Sequence, residues 1–554
     1  MRGRTISSER RRTRLHAAAL GLACLALLAL PALRAGAEAA SAETLVDERA
    51  AAVRAAKAGI AVAATALLLF GAWLRRRGRS EALRELRDAA LAALGLASLL
   101  ASWNFLNFHY TGVVHAHELF NYAIGSRYFD ELGYERLYEC VAVADAEAGL
   151  LSRVEERRMT DLATYELRGT RAVLADPGRC KGRFSPQRWA EFARDVGAFR
   201  ALFPPERWEE LQQDHGFNAT PLWAAMGRLV AAPVPISPAG LLVLASLDAL
   251  LDLAAWGLAA GAFGWRAVCV ALVYWGTNQP AGYEWTGGAF LRHDWIAAML
   301  VGLAMLRRVR PIAGGALFGA AALLRAFPAA LLAGPLLGAL AEALRSRRLA
   351  PSREVRRLLA GALLSAAVLL AVSLAGGGAS AWPRFAARIV HHSSVPATNT
   401  MGLRTLLSYT NEGRFAVLLA EHPDPGREWK QRRRAAFAGR RALYALVAGA
   451  YLVLLALAAA GQPLWVAALL GTGLVPFALD GACYYTAFLA AWGLLWLRSE
   501  VVGAGLCALA ALQWAIAARW PEPDDAFTAA SLAMLVFVAA ATWLVATPRA
   551  RSAP

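Results

Sequence analysis

Between Trp103 and Cys140 the chain reads WNFLNFHYTGVVHAHELFNYAIGSRYFDELGYERLYEC. Histidines, acids and many aromatics follow directly on a long apolar run, where a plain connector needs only turn residues and interface anchors. Glu118 is the acid best placed to accept a proton, and His115 and His117 beside it could tune its pKa or hydrogen-bond a substrate. Three readings of Glu118 stand side by side: a general base, a helix cap or ion-pair partner of Arg127, and a metal ligand. The His-x-His spacing turns both rings to one side of an extended segment, as zinc sites often require. HELFN lacks the second histidine of HExxH, however, and no third ligand is evident, so neither a metal nor another cofactor is expected.

Other polar residues stand out against apolar surroundings. Arg292, His293 and Asp294 open an apolar run; Asp294 could cap that helix through its backbone amides, while Arg292 and His293 face a site. Arg325 lies within an apolar helix pair, where a charge is costly and needs a partner. That partner is either a phosphate reaching between the helices or Asp294, unless the side chain simply snorkels to the membrane interface. His391, His392 and Asn399 stand before Gly402, Leu403 and Arg404, and with Arg388 they could bind a phosphate or merely form a solvated turn. Tyr484 and Tyr485, after Asp480, fit either a site or the aromatic belt at a membrane interface.

The elements that must position these residues are membrane helices. Of 554 residues, 58% are hydrophobic and 18% charged, with the charges clustered between long Ala- and Leu-rich runs. Apolar windows fall at roughly 16–35, 57–74, 88–106, 239–262, 267–279, 294–306, 311–325, 326–342, 357–376, 442–460, 463–479, 482–497, 500–518 and 526–546, each read as a span. The fold class expected is all-α, a polytopic transmembrane bundle of about 12–14 spans; the short runs at 267–279 and 311–342 account for that latitude. Residues 1–106 and 239–376 carry the first two sets of spans, and 442–554 the last. Loops 107–238 and 377–441 lie between, and 149–168 and 186–214 carry apolar residues at helical spacing, which predicts short amphipathic helices on the outer leaflet.

Arginine sets the orientation. The N-terminal MRGRTISSERRRTR, Arg75–Arg79, Arg307–Arg310, Arg345–Arg357 and the tail from Arg549 fall on one side, which the positive-inside rule makes cytoplasmic. Both long loops are then outside. The cluster from Lys430 to Arg434 with Arg440 and Arg441 breaks the rule and would face lipid phosphates. The first apolar run is read as an uncleaved span, with a signal peptide as the alternative. The net charge of +17 reflects topology and attraction to anionic lipid, so no nucleic-acid partner is expected. Cys24, Cys269, Cys483 and Cys507 lie in or beside apolar runs and act as small hydrophobes. Cys140 and Cys180 share the first outer loop, either bridged or as two free thiols. There is no P-loop, no Rossmann glycine signature and no convincing internal repeat.

The order of these features resembles the GT-C class of polytopic glycosyltransferases, and within it glycosyltransferase family 87 of the polyprenol-phosphate-mannose-dependent mannosyltransferase type. HAHELFNYAIGSRYFDELGYERLY supplies the acid of the first outer loop at Glu118, with Asp130 and Glu131 further on. The stretch from Gly287 to Leu337 is similar to that family's span pair, with Arg325 shortly before Pro328. FALDGACYYTAFLAAWGLLWL resembles its late aromatic pair, here Tyr484 and Tyr485. The chain departs from the pattern in having arginine for the more usual lysine, glutamate for aspartate, and a longer outer loop. The resemblance implies transfer of a hexose from a polyprenyl-phosphate donor to a glycan or lipid-linked acceptor, at the outer face of a bacterial-type cytoplasmic membrane. Two other classes remain. A transporter or flippase would pair its charges in mid-membrane and have related halves, and an envelope-assembly partner would have no cavity near Glu118.

Overall fold

A computed structural model describes residues 42–347, 351–422 and 424–547. The first apolar run with its signal-peptide alternative, the basic N-terminus, Cys24 and the basic tail lie outside the described residues. Helices make up 76% of the structure and strands only two short pairs, so the architecture is all-α. Each apolar window within the described residues is helical. Seven of these helices are long and apolar enough to cross a membrane: Leu45–Arg76, Pro238–Phe263, Phe327–Ser346, Arg353–Ala375, Arg441–Ala459, Glu500–Arg519 and Pro523–Ala546. Their outward faces carry exposed leucines such as Leu363, Leu364 and Leu446, a surface suited to lipid.

Local chemistry explains the helix limits. Pro238–Phe263 begins where the Ser237 hydroxyl accepts the Gly240 amide with Pro238 in the first turn, and ends at Gly264, whose φ of 84° favours glycine. Helix Pro311–Leu324 packs on Arg353–Gly377 through Gly315 and Gly319; a Cβ on Gly315 would lie 1.9 Å from the Leu358 carbonyl oxygen. Small residues four apart allow this backbone approach, which in lipid replaces a hydrophobic driving force. It also fixes the helix whose C-terminal end carries Arg325.

Residues 107–238 form a lobe with its own core around Phe192, Phe199, Trp208 and Trp223. At its centre the buried Asp145 accepts from Arg157 (2.7 Å), Arg200 (2.6 Å) and the Trp208 indole (2.7 Å). Cys140 and Cys180 are joined by a disulfide, which closes the lobe across a sequence separation of 40. The amphipathic helices expected here turn out differently. Residues 149–168 form only the short helix Leu151–Glu156 and then strand Arg158–Asp161, paired with Glu166–Gly169. Helices Pro186–Arg200 and Pro205–Leu211 exist, but their apolar faces are buried in the lobe core, where Phe199 and Trp208 both pack on Phe120. Helical periodicity reports that a face is buried, not what buries it.

The second loop is tied down by charge. Arg433, expected near lipid phosphates, is buried against Asp524 at the start of Pro523–Ala546, donates to the Thr405 carbonyl and Ser408 hydroxyl at 3.0 Å, and lies over the Trp429 ring. Arg432 pairs with Glu428 at 2.6 Å, and Arg440 donates to the carbonyls of Leu407 and Tyr409. These residues of the basic cluster serve intramolecular bonds.

Candidate functional site

Glu118 sits on the short helix Ala116–Leu119, which runs into a π-helical turn at Phe120–Ile124. His115 caps that helix: its Nδ1 accepts the Glu118 amide at 3.3 Å, while its Nε2 reaches the Glu284 carbonyl at 3.1 Å. That pair of bonds assigns the Nε2–H tautomer. Burial pushes the His115 pKa down to about 3, with the neighbouring His109 and His117 adding to the effect, so the cap is a neutral imidazole. Both ring nitrogens are thereby committed, and among the described residues no group of three or more His, Cys, Asp or Glu could hold a metal.

The partner of Glu118 is Arg292, whose Nε lies 3.1 Å from Oε2. It is not Arg127, which bonds Asp195 at 2.6 Å and the carbonyls of Ala231 and Val234 inside the lobe. Asp130 and Glu131 are held there as well, by Arg228 and Arg188. Arg292 is 4% exposed, its guanidinium lies 4.2 Å from the Tyr122 ring centroid, and its Nη1 has no hydrogen-bond partner. Tyr122, carried on the π-helical turn, also receives Arg325 at 5.7 Å, and Trp223 receives Arg325 at 5.6 Å. Arg325 is 6% exposed, and its Nε and Nη2 are buried without hydrogen-bond partners. Among the described residues no carboxylate lies within 4 Å of it, Asp294 included.

Two acids absent from the sequence reading position this centre. Asp248 accepts the backbone amides of Arg292 (2.7 Å) and His293 (3.1 Å), and Asp252 binds His293 Nδ1 at 2.8 Å. Both stand on Pro238–Phe263, four residues apart and therefore on one helix face. Asp248 thus fixes the backbone that enters helix Asp294–Arg307, while Asp294 Oδ1 accepts the first-turn amide of Trp295 at 2.7 Å and its Oδ2 is buried without a partner. Two carboxylates four apart in the apolar stretch SLDALLDLAAW were the available signal.

Tyr484 and Tyr485 turn inward. Tyr484 lies under Arg292 at 5.4 Å, and Tyr485 packs on Phe327 at 4.9 Å. They begin an unusually long 3₁₀ helix, Cys483–Leu497. Asn399 arrives beside them because its carbonyl accepts the Cys483 amide at 2.7 Å, next to the strand pair Thr400–Met401 with Gly481–Ala482. A cavity of about 40 Å³, room for a few waters, is lined by Arg292, His293, Trp295, Tyr484 and Tyr485.

His391 and His392 do not join this centre. His391 stacks on Tyr165 at 5.3 Å, and His392 Nδ1 meets the Tyr165 hydroxyl at 3.1 Å, with Arg388 over the other part of the cluster at 4.1 Å from the Tyr165 ring. They clasp the second loop onto the lobe. His392 is pushed down to about 4 by burial, His215 and Arg388.

His117 leads toward that clasp through Asp214, which accepts from His117 Nε2 at 3.0 Å and from Asn121 at 3.3 Å. Nothing in QQDHGFN distinguished Asp214 from a solvated loop acid. Burial works against the His117 imidazolium, but the bond to Asp214 and the charges of Asp214 and Glu118 outweigh it, against some opposition from Arg207, and hold its pKa above the ordinary value. Burial likewise works against the Asp214 carboxylate, yet His117 and His215 hold it well below the usual range. A raised histidine contributes stability that is complete below its unfolded value, about 6.5, and lost as pH rises through the folded value. The thermal midpoint of the full chain is therefore expected to fall on the alkaline side of about pH 6.5. Asp214→Asn should flatten that limb. Superimposable profiles for the two proteins from weakly acid to alkaline pH would remove the assignment.

Searches of the chain against protein-family models, curated proteins and solved structures found no match.

Proposed function

We propose that the protein is a polytopic membrane glycosyltransferase of the GT-C type, resembling family 87, which moves a hexose from a polyprenyl phosphate to an extracytoplasmic glycan or lipid-linked acceptor. The observation that carries the reading is the pair of buried guanidiniums, Arg292 and Arg325, 4.2 and 5.7 Å from the Tyr122 ring centroid and both with unpaired N–H donors, Arg292 standing against the carboxylate of Glu118. Unpaired buried charge is expensive, and a bound anion would repay it. A phosphate offers the acceptor oxygens that guanidinium donors fit.

The transfer needs little else. The acceptor hydroxyl oxygen attacks the anomeric carbon, its proton passes to Glu118, and the bond from that carbon to the phosphate oxygen breaks with its electron pair leaving on the phosphate. Arg325 and Arg292 hold the departing anion. An arriving phosphate competes with Glu118 for Arg292, so donor binding frees the carboxylate for the acceptor.

The disulfide supports placing the lobe on the oxidising side, and the arginine clusters support the opposite side as cytoplasmic. In this reading the shorter helices also span, which brings the number to about 12–14.

The test is reconstitution of the full chain in lipid vesicles with a polyprenyl-phosphate hexose and a lipid-linked glycan. Release of polyprenyl phosphate together with extended glycan is expected. A flippase would move the donor across the vesicle without cleaving it. In intact cells an impermeant thiol reagent should label cysteines placed at 149–168 and not those at 345–357; the reverse pattern would overturn the topology.

A further inference from the structure

A second cavity, of about 260 Å³, lies at the other end of the bundle, more than ten times the ~10–15 Å³ that admits one water. The two cavities share three helices. Arg84–Ala101 brings Asp88 to the second cavity and leads to Ser102 at the first; Trp265–Thr277 brings Arg266 to the second and Trp275 to the first; Cys483–Leu497 brings Trp496 to the second and Tyr484 to the first. Fourteen residues from Asp88 to Ser102, at 1.5 Å each, put the cavities about 20 Å apart.

We propose that this second cavity binds a phosphate-bearing anion, and that in its setting the anion is the headgroup of an anionic phospholipid. Four arginines line it, and three of them are satisfied: Arg266 grips Asp88 through two contacts, Arg84 meets Glu81 at 2.8 Å, and Arg75 pairs with Glu500. Arg87 is the fourth. Among the described residues it has no carboxylate within 4 Å; its Nη2 donates to the Ser80 carbonyl, and its Nε is buried with no partner. Four guanidiniums against three carboxylates leave one positive charge, which one phosphodiester neutralises.

Backbone chemistry adds to the attraction. Helix Arg84–Ala101 starts without a side-chain cap, and its first turns, bearing Arg84, Arg87 and Asp88, line the cavity, so the positive end of its dipole is directed there. A Cβ on Gly71 would come within 3.1 Å of Arg87 Nη1, so glycine leaves the guanidinium room. The lipid source follows from the surroundings. Leu67, Leu68 and Leu91 form the apolar wall, and Leu69, Phe70 and Trp73 on the same helix face outward, where acyl chains would lie. This site is independent of the sugar-transfer reading.

The experiment compares the full-length wild type with Arg87→Gln, Arg87→Lys and, as a control arginine outside the cavity, Arg345→Gln. Each is reconstituted in phosphatidylcholine nanodiscs with and without phosphatidylglycerol, and retained lipid is counted by native mass spectrometry beside thermal unfolding. Wild type is expected to retain phosphatidylglycerol and melt later in its presence. Arg87→Gln should retain it about tenfold less well, the effect of losing one charge-assisted hydrogen bond. Arg87→Lys should keep most retention, and Arg345→Gln all of it. Equal retention by wild type and Arg87→Gln, or equal losses in Arg87→Gln and Arg345→Gln, would overturn the site. Inorganic phosphate is the second probe, added to delipidated protein in neutral detergent. Protection by it matching that of phosphatidylglycerol would uphold the phosphate site and assign it to a soluble anion; protection by the lipid alone upholds the headgroup.

Discussion

Glu118→Gln is expected to lower the rate of sugar transfer by about 10²–10⁴-fold, the usual loss when a general base is removed. The amide keeps the size of the side chain but cannot take the acceptor proton. The backbone amide of residue 118 still reaches His115, so the helix cap survives the change. The substitution also releases Arg292 from its carboxylate. Donor affinity should therefore hold or improve while turnover collapses, and that split separates a base from a merely structural partner. Near-normal turnover of the purified variant with a polyprenyl-phosphate sugar would end the assignment. So would a loss explained entirely by a lower folded fraction, measured as the monodisperse yield and thermal midpoint.

Arg325→Ala is expected to raise the donor concentration needed for half-maximal rate about ten- to hundredfold, the range for losing a charged hydrogen bond of about 1.5–3 kcal/mol. Arg325→Lys should keep part of the affinity, because a point charge still attracts phosphate while the planar fork is lost. Folding should suffer little, since the guanidinium meets ring faces and has no carboxylate within 4 Å among the described residues. Removing an unpaired buried cation can even raise the thermal midpoint. Donor titrations on the three proteins in matched detergent decide the matter. An unchanged titration for the alanine variant would make Arg325 a structural arginine and take away one of the two guanidiniums on which the glycosyltransferase proposal rests.

The two substitutions probe different stages of one event. If phosphate binding draws Arg292 away from Glu118, then Arg325→Ala weakens the donor that triggers the release, whereas Glu118→Gln leaves the trigger intact and removes the proton acceptor. A double variant should accordingly be no slower at saturating donor than Glu118→Gln alone.

Much of this arrangement was legible in the residues themselves. Long apolar runs can satisfy their backbone only as helices, so each run among the described residues is one, whatever packs around it. Charge inside apolar sequence is costly anywhere in the fold, which is why Arg292 and Arg325 stood out before any contact was known. Two cysteines in one polar loop suggested the bridge without choosing it over free thiols. What the residues could not carry is pairing across distance. Arg127 and Arg292 have the same chemistry, yet the lobe core turns one toward Asp195 and the helix packing turns the other toward Glu118. His391 and His392 read like phosphate ligands, and the approach of Tyr165 makes them a clasp instead. The basic run around Arg433 looked like a lipid contact until Asp524, ninety-one positions away, neutralised it. The sequence by itself determined the helices, their apolar surfaces and the presence of costly buried charges, because those follow from local composition and backbone hydrogen bonding. Only the tertiary structure decided which carboxylate meets which arginine and which arginines keep free donors, because an ion pair depends on where the close-packed glycines and the lobe core bring two distant backbones together.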